Sequence, residues 1–363
     1  MSIVIIWFGY PLAVGALAAV FGRSWQNQEP QQGHVSVIIA TRDSAEVVRE
    51  RVRDLLESDY PPELLQVVVA LDPEGALSPT DLRSTFDERV VLVTGEAPGG
   101  KACNLNAGVA ASRGEILVFS DAAQRFERDT ISRLVAALGD PRLGAVSGAL
   151  HIGRDGAPAN LSERYWILER WLRLQESRLH SAIGVTGAVY AMRRAAWHPL
   201  PAGLILDDVY APMNLVLRGY RVGFEPRAVA YDERRFAPGQ ELRRKARTLT
   251  GVLQLCMWLP DVLVPWRNPV WLQFVFHKLL RLLTPYLLLG MALSLTIAAG
   301  QSLGAGRPMW SAGVVAAFVA TLALVFAASR RLRAGVQMAA AMQVAMVRAT
   351  INGLRGRWDV WSR

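Results

Sequence analysis

Val35-Ser36-Val37-Ile38-Ile39-Ala40-Thr41-Arg42-Asp43 is the stretch on which the fold turns. Six nearly unbroken apolar residues end in a polar triplet. A strand with one wet face alternates apolar and polar residues, whereas a strand covered on both faces does not. The run is therefore a strand buried between two layers. Similar strands follow at Val67–Leu71, at Val90–Val93, at Ile116–Ser120 and at Leu143–Ser147. Between them the spacing predicts helices over 44–57, 101–112 and 129–138. Strands alternating with helices predict a parallel α/β sheet. In such a sheet ligands lie beyond the carboxyl ends of the strands. Thr41, Asp72 and Asp121 stand at three of those ends.

Further along, residues 161–180 read as an amphipathic helix bearing Tyr165, Leu168, Leu172 and Leu179. A strand from Val185 to Met192 follows, with Gly184 and Gly187 allowing close backbone approach. Then Leu204-Ile205-Leu206 leads into Asp207-Asp208 and a helix to Arg218, stopped at Gly219. Desolvating two adjacent carboxylates is costly, so the pair points to chemistry. Lys101 opens a helix after Gly99-Gly100. Exposed N–H groups at that end favour an anion, and a lysine there opposes the helix dipole. The chain has only three lysines, Lys101, Lys245 and Lys278, so the placement points to ligand contact.

The 363-residue chain is 52% hydrophobic, with mean hydropathy +0.21, which is high for a purely soluble enzyme. Its net charge is +9. A basic, apolar-rich chain suits an anionic membrane surface or a phosphorylated substrate. It carries no nucleic-acid-binding motif, and nucleic acid is not expected as a partner. Cys103 and Cys256 lie far apart and the five histidines lack metal-ligand spacing.

Residues 1–22 hold an uncharged apolar stretch long enough to span a bilayer, and Arg23 after it directs residues 30–256 to the cytoplasm. Further spans are expected at 282–299 and 310–328. Residues 257–281, with Trp258, Trp266 and Trp271, read as an interfacial segment. Residues 334–363 are basic on both flanks of their apolar stretch. They read as an interfacial or re-entrant C-terminal helix rather than a fourth span. The basic run Arg234-Arg235 and Arg243-Arg244-Lys245-Ala246-Arg247 suits membrane anchoring or the grip of a diphosphate.

These motifs together resemble the membrane-embedded family-2 glycosyltransferases, the superfamily of cellulose, hyaluronan and chitin synthases, over roughly residues 30–280. Val35 to Asp43 looks like that family's first strand and nucleotide loop, which implies Thr41 and Arg42 as nucleotide contacts. Asp72 falls where the family offers an aspartate to the base or ribose. Lys101-Ala102-Cys103-Asn104-Leu105-Asn106-Ala107 is similar to the family's Lys-Ala-Gly-x-Leu-Asn-x-Ala motif, implying Lys101 and Asn106 as donor contacts. Thr186-Gly187-Ala188 resembles the strand lining the acceptor side of the sugar pocket. Leu206-Asp207-Asp208 matches Thr-Glu-Asp, which implies Asp208 as general base and Asp207 as an orienting neighbour. Two departures stand out. The family's Asp-x-Asp reads Asp121-Ala122-Ala123, leaving Asp121 alone for metal or ribose. Its Gln-x-x-Arg-Trp reads Arg244-Lys245-Ala246-Arg247-Thr248, leaving Arg247, with Arg244, for the diphosphate and no tryptophan for a growing polymer.

The resemblance implies a GT-A, Rossmann-like nucleotide-sugar domain inserted between transmembrane helices. The implied reaction is inverting transfer, aided by Mg²⁺ or Mn²⁺, from a nucleotide-diphosphate sugar, UDP-sugars first, to a lipid or glycan acceptor. It would serve polysaccharide or glycolipid synthesis by single rather than processive transfer, at a bacterial inner membrane. Two other readings stay open. One is transfer to a polyprenyl phosphate, and the other is a catalytically weak nucleotide-binding scaffold in a membrane glycan assembly.

Overall fold

A computed structural model describes residues 2–23, 25, 33–82, 85–152, 161–234, 238–304 and 330–358. One eight-stranded sheet organises the chain. Its strands are β1 (Val35–Thr41), β2 (Leu65–Leu71), β3 (Val90–Thr94), β4 (Ile116–Ser120), β5 (Arg125–Phe126), β6 (Leu143–Ile152), β7 (Tyr190–Arg193) and β8 (Arg221–Asp232). They lie in the order β3-β2-β1-β4-β7-β6-β8-β5. Strands β3, β2, β1 and β4 run parallel, as expected. The other half corrects the all-parallel expectation, because β7 runs antiparallel to both β4 and β6, and β5 antiparallel to β8. The fold is therefore mixed α/β.

The apolar runs are explained by two cores. Side chains alternate across a strand. Val37 and Ile39 of β1 join Val67 and Val69 in a core shared with Val48, Val52 and Leu55 of the helix Ala45–Leu56. Ile38 faces the opposite core, with Val68, Phe119 and Leu105. Both faces are dry, so the strand has no polar face to display.

The antiparallel strand β7 decides what meets at the site. Thr41 pairs with Leu71 and Ile39 with Ser120, so Asp72 and Asp121 emerge at one edge. Phe119 pairs with Tyr190 across β4 and β7, which brings the start of β7 to the end of β4. Gly187, just before β7, thereby reaches the edge carrying Asp121. The expected strand 185–192 is shorter than read, because Val185 and Thr186 spend their N–H groups on Asp208 O and Ser147 Oγ instead of a ladder.

Among the described residues, one helix, Ser2–Phe21, is long and apolar enough to cross a membrane. A second, bent pair, Trp271–Leu282 and Thr284–Ala298, meets the same test when taken together across its 56° break. The stretch 310–328 lies outside the described residues. Arg330–Leu354 is a single helix whose strongest contacts are with the helix Pro238–Trp258.

Candidate active site

Lys101 stands at the centre of the site. Gly99 and Gly100 turn the chain through φ of 81° and 87°, a region open to glycine, and start the helix Lys101–Ala111 there. Lys101 Nζ lies 3.0 Å from Asp121 Oδ1 and 3.3 Å from Asp207 Oδ2. One ammonium thus joins an acid after β4 to an acid in the first turn of the helix Asp207–Leu217. That helix's free N–H groups favour the two aspartates at its start. Burial pushes the Asp121 carboxyl up, but Lys101 and Arg234 overcome this and hold it below the usual carboxylate range.

Asp208 behaves oppositely. Burial, then the charge of Asp207, push its carboxyl up to about 6, against the pull of Lys101, Arg173 and Lys278. A carboxyl so raised is ionised at neutral pH yet binds a proton far more readily than a free aspartate does. Gly187 closes over this pair. A Cβ there would sit 3.3 Å from Asp208 Cβ and 3.4 Å from Lys101 Nζ.

The basic run sends part of its charge here. Arg234 binds Asp232 through Nε and Nη2, each at 2.9 Å, and lies within electrostatic reach of Asp121 and Asp43. Burial and Arg234 push the Arg244 guanidinium below its usual value, with Asp232 pulling the other way. Arg247 and Asp121 also act on it. Arg234 and Arg244 therefore stand on the Asp121 side, with Arg247 within electrostatic reach of Arg244.

The residues expected at the nucleotide fall into two groups. Asp72 is fully buried and accepts bonds from Gly100 N at 2.8 Å, Asn104 Nδ2 at 2.9 Å, Glu74 N at 3.0 Å and Arg42 Nε at 2.9 Å. Burial opposes ionisation, but these donors, Arg42 first, hold its carboxyl low. Asp72 thus fixes the glycine turn that aims Lys101, while Arg42 remains about half exposed at the rim. Thr41 Oγ1 bonds Asp43 Oδ2 at 2.9 Å and stays within the β1 loop. Asn106 is not brought to the carboxylates. Its Nδ2 donates to Leu200 O at 2.8 Å, and its Oδ1 accepts from Leu200 N at 2.9 Å. Asn104 makes the contact with Asp72 that the motif reading had left unassigned.

The metal question rests on Asp121. Among the described residues no three His, Cys, Asp or Glu side chains cluster as a metal cage. Ala122 and Ala123 offer no side-chain oxygen. Asp121 retains a second carboxylate oxygen beyond the one facing Lys101, on a side chain about one-third exposed. Mg²⁺ is commonly held by one or two carboxylates together with substrate phosphates, so this donor set suits an ion that arrives with a diphosphate.

Residues 36–198 match the family model described as glycosyl transferase family 2. The chain therefore carries a glycosyltransferase family 2 domain. It is similar to a β-monoglucosyldiacylglycerol synthase of Trichormus variabilis, 26% identical over 210 residues, covering 54% of this chain and 44% of that one. It is also similar to the probable glycosyltransferase YdaM of Bacillus subtilis, 24% identical, with 58% and 53% covered. The chain spans about half the length of these curated relatives. A Pyrobaculum calidifontis mannosyltransferase, PcManGT, solved in complex with GDP-Man and Mn²⁺, shares the fold. Its TM-score is 0.72 and its identity 24%, with 97% of this chain and 96% of that one covered.

Proposed function

We propose that the protein is an inverting, membrane-bound glycosyltransferase that moves one sugar from a nucleotide-diphosphate sugar to a lipid or glycan acceptor. The observation that carries this is the unequal pair Asp207-Asp208. Asp207 faces Lys101, and its neighbour Asp208 is raised to about 6 beside Gly187. Asp208 takes the proton of an acceptor hydroxyl as that oxygen bonds to the anomeric carbon. The bond from that carbon to the diphosphate oxygen breaks, and its electron pair leaves on the nucleoside diphosphate. Lys101, Arg244 and Arg247 stabilise the leaving charge from fixed positions, which is worth more than solvation by water. Asp121 would hold Mg²⁺ or Mn²⁺ against the diphosphate, where the ion supplies further charge neutralisation. A lipid acceptor is in keeping with the relative named for a β-glucosylated diacylglycerol. Arg247 is followed by Thr248, with no tryptophan there to stack on a polymer, which favours single transfer.

The membrane reading is supported by the apolar Ser2–Phe21 helix and the bent pair from Trp271, and a cytoplasmic side for residues 30–256 is supported by Arg23 after the first helix. The test uses full-length protein retained in alkali-washed membranes or detergent. It is given UDP-sugars and GDP-mannose, with lipid acceptors, with and without Mg²⁺ or Mn²⁺. Transfer by the wild type, with a loss of about 10³-fold in Asp208→Asn at unchanged donor affinity, is the expected result. Undiminished transfer by a folded Asp208→Asn protein removes Asp208 as the base. Absence of transfer and donor hydrolysis across the whole panel would leave the scaffold reading in its place.

A further inference from the structure

Behind Asp208 the sheet domain meets the two apolar helical elements through a buried charged network. Glu169 and Glu176 lie on one face of the helix Leu161–Leu179, and His277 is wedged between them. His277 Nε2 is 2.8 Å from Glu169 Oε2, and Nδ1 is 2.8 Å from Glu176 Oε1. Arg281 Nη1 donates to Glu169 Oε1 at 2.5 Å, and Tyr10 of the N-terminal helix donates to Glu176 Oε1 at 2.5 Å. Each carboxylate is thus engaged by residues other than the two cations that stand beside it.

Those cations are Arg173 and Lys278. Arg173 sits between Glu169 and Glu176 in sequence but turns to the sheet, where Nη1 donates to Thr186 Oγ1 at 2.9 Å. Thr186 precedes Gly187, which packs on Asp208. Lys278 adjoins the wedged His277 and is half-buried, and no hydrogen bond or ion pair ties it to any described residue. Both cations lie within electrostatic reach of Asp208 and of each other. Glu169, Glu176 and Asp208 offset part of this positive charge from a distance, but none of them is hydrogen-bonded to Arg173 or Lys278, so both cations keep N–H donors for a further anion.

We propose that Arg173 and Lys278 form an anion subsite on the membrane-facing flank of Asp208, and that it binds the phosphate of a phosphorylated lipid acceptor. This rests on the reading of Asp208 as the acceptor-side base. The Arg173 fork and the Lys278 ammonium are suited to phosphate oxygens. The network around His277 sets their depth, at the junction of the Leu161–Leu179 helix with Tyr10 and Val14 of the N-terminal helix. A lipid phosphate lying at that junction would hold the acceptor next to Gly187. The phosphate can belong to the headgroup of a glycerophospholipid, whose free hydroxyl Asp208 deprotonates, or to a polyprenyl phosphate, whose own phosphate oxygen attacks the anomeric carbon while Asp208 takes any proton left on it.

The test compares full-length wild type, Lys278→Ala, Lys278→Arg, Arg173→Ala and Arg173→Lys in detergent. Binding is measured by calorimetry with four soluble probes: farnesyl phosphate, farnesol, dihexanoyl phosphatidylglycerol and dihexanoylglycerol. The expected result is binding of one phosphorylated probe about tenfold or more tighter than its neutral counterpart. Which pair shows the preference identifies the source of the phosphate. The preference is expected to be lost in both alanine variants and restored in Lys278→Arg, with nucleotide binding unchanged in all. Equal binding of charged and neutral probes by the wild type overturns the proposal. So does a preference that survives in both folded alanine variants. These results stand whether or not transfer is detected, so failure of the subsite is separable from failure of the catalytic reading. Where transfer is detected, the alanine variants are expected to raise KM for the phosphorylated acceptor and leave donor KM alone.

Discussion

At the scale of single residues, Asp208 makes the sharpest prediction. Its carboxyl, raised to about 6 from the ordinary 3.8, must be ionised to accept a proton. Activity is therefore expected to fall through an acid limb centred near pH 6, seen in kcat/KM against pH. The same shift bears on stability. The folded protein holds that proton more tightly than the unfolded chain does. The penalty for burying the charge is thus absent below about pH 4 and complete above about pH 6. Asp208→Asn is expected to raise the midpoint of thermal unfolding at pH 7 and leave it unchanged at pH 4. A shift of about two pH units corresponds to roughly 2–3 kcal/mol as an upper figure. Gly187→Ala probes the same spot from the other side. A methyl 3.3 Å from Asp208 Cβ and 3.4 Å from Lys101 Nζ displaces the base more than the lysine's flexible tip, so kcat/KM is expected to fall roughly ten- to hundredfold, with kcat falling more than donor KM rises. Donor KM rising as steeply as kcat falls would place Gly187 outside the acceptor side. Much of this constellation was legible in the sequence, because an acid after an apolar strand reads the same before and after folding. Asn106 was not. Residues 104 and 106 are about 200° apart around a helix, so only one of them can face Asp72. Which one does depends on how the glycine turn sets the helix, and motif spacing does not carry that information.

At the scale of elements, position is enforced from beneath the site. Arg51, fully buried on the helix Ala45–Leu56, donates to Ser120 Oγ through Nε at 3.1 Å and Nη2 at 2.6 Å. It also pairs with Asp54 and lies 4.0 Å over the Phe126 ring. Burial pushes its guanidinium down to about 10. This side chain ties the last residue of β4 to the helix beneath it, one residue before Asp121. Arg51→Leu leaves Asp54 with only the Phe126 N–H and takes the guanidinium from Ser120, and is expected to cost about 3 kcal/mol, measured as a lowered denaturant midpoint. An unchanged midpoint would show that the tie is dispensable. The strands of the parallel half were readable, since burial on both faces leaves an unbroken apolar signature. Strand β8 leaves a weak sequence signal, because Glu225-Pro226-Arg227 interrupts its apolar run with exposed or half-exposed residues. The reversed direction of β7 was likewise hidden. Direction follows from where a connection crosses the sheet, and no local pattern in residues 185–193 encodes it.

At the scale of the whole molecule, the sheet divides into a parallel half, β1 to β4, and a mixed half, β5, β6 and β8, with β7 between them. The Ser2–Phe21 helix joins the helix Leu161–Leu179 through Tyr10 and Glu176, and the bent helix pair through Trp7 and Thr284. Hydropathy revealed that helix, but its buried polar junction with the Leu161–Leu179 helix was hidden, since contacts between residues more than 150 positions apart leave no periodic trace. The bridge at Lys101 has a kinetic consequence. One ammonium serves Asp121 after β4 and Asp207 at the start of the helix Asp207–Leu217. On the proposed function, an incoming diphosphate would compete for that ammonium and loosen its hold on Asp207, so the acceptor pocket would reach its working charge distribution after the nucleotide sugar has bound. The steady-state pattern expected is an ordered one, with the sugar nucleotide entering first and the nucleoside diphosphate leaving last. Nucleoside diphosphate should then inhibit competitively against the sugar nucleotide and non-competitively against the acceptor. A random-order pattern would mean that the two halves fill without reference to their common charge.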